Sequence, residues 1–296
     1  MTPPTPKHVF LFILAIPLVF ALVACGQDLT PIIVPTLTYI PTPTATPVPP
    51  AISVNGEGIS TADFQAELAR YQQAQVALGN AVTQETATQA VKNDLVDKLL
   101  LEQGAASRNY VVDDASLQAR VVALAAQVGG MDALAAWETA HGYSDAAFRS
   151  ELRLEIAAAW MRDQLTTSVP GTAEQVHVKQ ILLYNEGEAQ QALGILQAGG
   201  NFSDLAARYD PVAKGELGWF PRGYLPSKAI EDAAFALQPG QYSLIIQDET
   251  GYHILYLVEH DPAHLLSPDA LMTLQENAVQ SWLTQQREQS KIIFAP

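Results

Sequence analysis

The segment from Val176 to Glu259, centred on Gly215-Glu216-Leu217-Gly218-Trp219-Phe220, restricts the fold of this chain more than any other stretch. The apolar run Val176 to Tyr184, built on Ile181-Leu182-Leu183, has the length and aliphatic content of a strand. Glu186 to Ala198 carries Ala189, Leu193 and Leu196 at helical spacing and stops at Gly199-Gly200. Asn201-Phe202-Ser203 opens a second short helix bearing Leu205 and Ala206. After the hexapeptide come Arg222-Gly223-Tyr224-Leu225, a helical Ala229 to Leu237 and the turn Gln238-Pro239-Gly240. Tyr242 to Gln247 and Gly251 to Val258 read as two closing strands. One strand, then helices, then a hairpin makes a small α+β unit of single-domain size.

The chain before this unit reads as helical. Val54-Asn55-Gly56-Glu57 is a short strand or turn, and Ser60 with Asp63 three residues on is a capping-box start. Phe64, Leu68, Tyr71 and Leu78 then recur on one helical face. A second helix spans about Glu85 to Arg108, Asp113-Asp114 caps a third, and a short fourth ends at Gly142. Ser144 opens a long fifth helix whose Phe148, Leu152, Ile156 and Trp160 share a side. At the far end, Ser267-Pro268-Asp269 starts a helix through Leu271, Leu274, Val279, Trp282 and Leu283. A lone amphipathic helix cannot hide its apolar face.

The first 50 residues have a different character. Lys7 and His8 precede the apolar Val9 to Val23, too short for a transmembrane span, and Leu22-Val23-Ala24-Cys25 resembles a bacterial lipobox. An ordinary signal peptide is the alternative. Cys25 is the single cysteine, so no intramolecular disulfide can form. Asp28 to Pro50 interleaves seven prolines with six threonines and reads as an extended tether. With 16 basic against 31 acidic residues the net charge is −15, which argues against nucleic acid and against a basic membrane-binding patch.

Six blocks in the central segment resemble, in order, the parvulin-type peptidyl-prolyl isomerase domain. They are Gln180-Ile181-Leu182-Leu183, Phe202 to Ala206, Gly215 to Gly223, Glu231 to Leu237, Pro239-Gly240 and Gly251-Tyr252-His253-Ile254. The helical region, more loosely, resembles the N-terminal chaperone region of SurA- and PrsA-like foldases. The expected fold is therefore α+β: an all-helical chaperone-like domain with an inserted parvulin domain, whose small antiparallel or mixed sheet is surrounded by helices. The expected boundaries are 1–25 for a lipoprotein signal, 26–50 for the tether and 51–173 for the helical domain. Residues 174–262 would be the parvulin domain, and 263–296 a helix returning to the helical domain.

Prolyl isomerisation passes through a twisted amide and requires no covalent step, metal or cofactor. A catalyst needs an apolar slot for the ring and a dry site that favours the twisted amide. The resemblance implies that Leu217, Phe220, Leu225 and Ile230 line the slot, although Leu217 and Phe220 are equally suited to plain core. Parvulins typically carry two facing histidines. His253 matches the second, and Gln180 stands at the first; Gln hydrogen-bonds but does not titrate. His177, by strand alternation, falls on the opposite face from position 180. The loop Tyr209 to Lys214 is short, and the resemblance assigns its polar role to Asp210, with Thr250 supplying a network hydroxyl. A structural role for His253 stays open. His141, His260 and His264 form no ligand set, and Pro262 argues that the last two sit solvated in a loop. The leading expectation is an extracytoplasmic foldase, anchored through lipid on Cys25, acting on unfolded or newly exported proline-containing chains. A non-catalytic holdase and an envelope-assembly scaffold are the alternatives.

Overall fold

The computed structural model describes residues 50–295, so Cys25 and nearly all of the Pro/Thr-rich run lie outside the described residues. The architecture is α+β: a helical region followed by a domain with a four-stranded antiparallel sheet.

The chain enters through a hairpin, β1 (Ile52–Val54) and β2 (Glu57–Ile59). Asn55 and Gly56 both hold positive φ, the two-residue turn that Asn-Gly favours. Then follow α1 (Thr61–Ala77), α2 (Gln84–Ser107), α3 (Asp114–Val128), α4 (Met131–Ala140) and α5 (Asp145–Thr167). Ser60, Thr83, Asp113 and Ser144 each accept a first-turn backbone N–H, so four of these five helices start on a side-chain cap. The main core is the seam between α2 and α5, where Val96, Leu100 and Leu101 meet Ala157, Ala158 and Met161. No single helix among the described residues is long and apolar enough to cross a membrane.

The last helix, α9 (Pro268–Gln289), lies on α2 and α5 and contributes Leu283 to their core. Its Trp282 covers Gly104, where an added Cβ would come within 2.7 Å of the indole ring. Arg287 reaches Asp97 of α2 at 2.7 Å. The chain then forms β7 (Ile292–Phe294), antiparallel to β1, giving the order β2-β1-β7. The strand that opens the helical region is thus paired with the strand that closes the chain.

Between α5 and α9 lie β3 (Thr172–Leu183), α6 (Glu186–Gln197), α7 (Phe202–Tyr209), β4 (Glu216–Pro221), α8 (Lys228–Ala236), β5 (Ile246–Asp248) and β6 (Gly251–Leu265). Their sheet has the order β4-β3-β6-β5. Alternation along β3 and β6 sends Ile181, Leu183 and Ile254 to a core under α6 and α7. On the other face, Val176, Val178, Leu255 and Leu257 pack with Phe220 and with Ile230, Ala234 and Phe235 of α8.

Two sequence expectations need correction. The first closing strand is only Ile246–Asp248; the Ser243 hydroxyl takes the Leu255 N–H at 2.9 Å, and the regular ladder breaks there. β6 runs on through Pro262 to Leu265, so His260 and His264 stand on a strand rather than in a loop, with His260 exposed as expected. The register jumps from Gln175↔Asp261 to Ala173↔His264, leaving Pro262 in a bulge where no ladder N–H is needed. His260 bonds Glu174 at 2.8 Å, and His264 stacks on Trp219 with centroids 4.0 Å apart.

Candidate functional site

The site grows from the pairing of β3 with β6. Leu182 stands opposite His253 and Gln180 opposite Leu255, so Gln180 and His253 are diagonal neighbours on the α8 face of the sheet. His253 is 3% exposed, and both ring nitrogens are engaged. Nδ1 lies 3.0 Å from Gln180 Oε1; Nε2 lies 2.9 Å from Thr250 Oγ1 and 3.0 Å from Asp248 Oδ1. Thr250 donates both its backbone N–H (2.8 Å) and its hydroxyl (2.7 Å) to that same Asp248 oxygen. The Thr250 hydroxyl is the main reason the Asp248 carboxyl sits well below the usual carboxylate range. Burial works against this, while the Thr250 N–H, the Ser227 hydroxyl and the His253 ring add to it.

These groups meet because the β5–β6 turn is tight. Asp248 pairs with Gly251 across Glu249-Thr250, which returns the chain in time to place Thr250 and His253 over Asp248. Gly251 has φ +145°, and a Cβ there would fall 2.5 Å from the Leu183 carbonyl oxygen.

Gln180 is positioned by a second close approach. Its N–H donates to the Gly215 carbonyl at 2.7 Å, and a Cβ on Gly215 (φ +72°) would lie 2.1 Å from the Gln180 carbonyl oxygen. Asp210 belongs to this support. Its Oδ1 accepts from Val212 (3.2 Å) and Ala213 (3.0 Å), and its Oδ2 from Gly215 (3.1 Å). The Ala213 N–H foremost, then those of Gly215 and Val212, lower its pKa, and burial opposes them. Asp210 makes no hydrogen bond with His253; it reaches the network only through Gly215 and the backbone of Gln180. His177 contacts Glu216 and stacks on Trp219, outside the network as well.

Leu217, Phe220, Leu225 and Ile230 gather in one cluster on the His253 face. Phe220 (1% exposed) and Ile230 (7%) are closed off, while Leu217 and Leu225 remain partly open. The loop carrying Leu225 is shaped by Glu231, a buried carboxylate. Its Oε2 accepts the N–H groups of Gly223 (2.7 Å), Tyr224 (3.2 Å) and Leu225 (3.4 Å). From α9, Asn277 donates to the Gly223 carbonyl at 2.7 Å.

Sequence reading missed Asp248 and Glu231. The signal for the first is Asp-x-Thr-Gly at the head of a hairpin, a self-bonding turn. Glu231 carries no comparable mark, since an acidic residue in the first turn of a helix is ordinary. Among the described residues no His, Cys, Asp and Glu group is arranged to hold a metal ion. A cleft of about 360 Å³ lies away from His253, between β2, α1, α2 and α5.

Residues 184–259 match the family described as the PPIC-type PPIASE domain, and residues 9–134 match the SurA-like N-terminal domain. The periplasmic chaperone PpiD of Haemophilus influenzae is 43% identical over 88 residues, covering 28% of this chain and 14% of the relative. The chaperone SurA of Methylobacillus flagellatus is 30% identical over 219 residues, covering 58% and 49%. The foldase protein PrsA of Halalkalibacterium halodurans is 32% identical over 95 residues, covering 30% and 28%. The chain thus spans at most about half the length of these relatives. It carries a parvulin, PPIC-type domain, preceded by a SurA-like N-terminal region.

Proposed function

We propose that this protein is an extracytoplasmic foldase that isomerises X–Pro bonds in unfolded, newly exported polypeptides. One arrangement carries the reading: a buried His253, held by Gln180, Thr250 and Asp248, on the same sheet face as Leu217, Phe220, Leu225 and Ile230. An apolar wall takes the proline ring by hydrophobic burial. The planar amide owes its barrier of about 18–20 kcal/mol to resonance, and resonance also gives it the larger dipole. A dry wall therefore favours the twisted amide, and hydrogen-bond donors beside it can meet the carbonyl as it turns. Relatives described as chaperones and foldases support unfolded chains as substrates.

The test is a protease-coupled proline-peptide assay on the fragment from Ala51 onward. Catalysis above the uncatalysed rate is expected, and Gln180→His should raise it or leave it unchanged. If wild type and Gln180→His both fail to exceed the uncatalysed rate, the holdase reading replaces the enzyme. We further propose that Cys25 is lipid-modified and that 26–50 tethers the folded part to the membrane. Cys25→Ala should then lose metabolic fatty-acid labelling; a mutant that still labels refutes the lipobox.

A further inference from the structure

Three polar groups surround the His253 ring, but they differ in what they can dictate. Gln180 meets Nδ1 with an amide that offers one acceptor and two donors, so it satisfies that nitrogen whether or not it carries hydrogen. Thr250 has a single hydroxyl hydrogen. Its 2.7 Å contact with Asp248 Oδ1 consumes that hydrogen, because a carboxylate can only accept. Toward Nε2, Thr250 is therefore an acceptor, and Asp248 Oδ1 at 3.0 Å is one too. Two acceptors facing one buried ring nitrogen leave a single consistent assignment: hydrogen on Nε2.

We propose that Asp248 is a positioning residue of the site, fixing the ring hydrogen of His253 on Nε2 and orienting the imidazole through Oδ1. Nδ1 then faces Gln180, whose amide can turn to suit it. The carboxylate does this from a rigid seat. It stands at the end of β5, accepts both Thr250 donors across the hairpin turn, and its side chain is 14% exposed. The role in catalysis rests on the isomerase reading above; the role in ring orientation does not.

Two measurements on the full-length protein test this. The first is the ¹⁵N spectrum of the His253 ring in wild type, which reports which nitrogen carries hydrogen. The second compares wild type with Asp248→Asn, whose amide can donate to Nε2 as well as accept from it. Nε2 protonated in wild type is expected. In Asp248→Asn the ring resonances should shift and kcat/KM should fall by about tenfold, the scale of losing one charge-assisted hydrogen bond. Hydrogen on Nδ1 with a bare Nε2 in wild type overturns the proposal. So does an Asp248→Asn protein with unchanged ring signals and a rate within about twofold of wild type. If the variant does not fold, the wild-type spectrum alone decides. If wild type has no isomerase activity, the ring signals decide instead: their shift in Asp248→Asn upholds the positioning role while the enzyme reading fails, and their constancy overturns it.

Discussion

The smallest determinants of the site are glycines rather than acids or bases. Gly215 has φ +72°, and its Cα approaches the Gln180 carbonyl so closely that a Cβ would lie at 2.1 Å. The same residue delivers its carbonyl to the Gln180 N–H and its N–H to Asp210. Gly215→Ala should therefore strain the backbone and push Gln180 away from His253. A loss of about 1–3 kcal/mol in stability is expected, with a fall in isomerisation larger than unfolding alone explains. Thermal melts paired with kcat/KM at a temperature well below Tm check this; an unchanged rate would separate Gly215 from the site. Legibility was uneven at this scale. Gln180 and His253 stand in blocks of the parvulin resemblance and Thr250 at the position of a network hydroxyl, and the structure brings them into one hydrogen-bonded group. Asp210 was read as part of the chemistry, yet its oxygens are turned to its own loop. Asp248 escaped notice because an acidic residue beside a turn normally means solvent, and only pairing of β5 with β6 carries it over the ring.

Among the elements, α9 is the one that most needs the rest of the chain. Its Trp282 and Leu283 are set against α2 and α5, and β7 beyond it completes the small sheet through β1. Ending the chain after Pro262 removes all of these contacts. Burying each large apolar side chain contributes roughly 1.5–3 kcal/mol, against a total of about 5–15 kcal/mol for a domain. The helical region of the truncated protein should unfold or aggregate, while the four-stranded domain keeps its own two cores and loses from its site only the Asn277 bond to Gly223. Circular dichroism melts and the peptide assay on the truncated protein read the two outcomes separately. A helical transition left unchanged would mean that α9 contributes little where it lies.

For the whole molecule the acidic balance is the dominant electrostatic fact. The net charge is −15, and several carboxylates are crowded between α1, α2 and α5. Lys98 relieves part of this by reaching Glu155 (2.6 Å), Glu151 (2.9 Å) and Asp94 (3.0 Å), tying α2 to α5. Burial acts to lower its pKa, but the carboxylates outweigh that and raise it. Glu102 has no such relief: burial first, and Glu57 second, raise its pKa above the ordinary value. A carboxyl with a raised folded-state pKa binds its proton more tightly when folded. Its charge therefore costs stability in full above the folded pKa, and nothing below the unfolded value of about 4.3. Glu102→Gln should raise Tm at pH 7, with a gain that shrinks as pH falls and vanishes below about pH 4. Melts at the two pH values test it; an equal gain at both would point to packing instead of charge.

The class of fold and most helix starts were legible in the chain alone, because these depend on local physics. Caps such as Ser60, Asp113, Ser144 and Ser267 act within one turn, and apolar spacing selects helix or strand over a few residues. The features that had to wait for the folded molecule involve partners far apart in the chain. The run of β6 through Pro262 depends on a bulge opposite β3, the stacking of Trp219 on His264 on three strands meeting, and the seat of Leu225 on Glu231 and Asn277. Register is a cooperative property of paired strands: a one-residue slip turns every side chain to the other face, and no single strand carries that information.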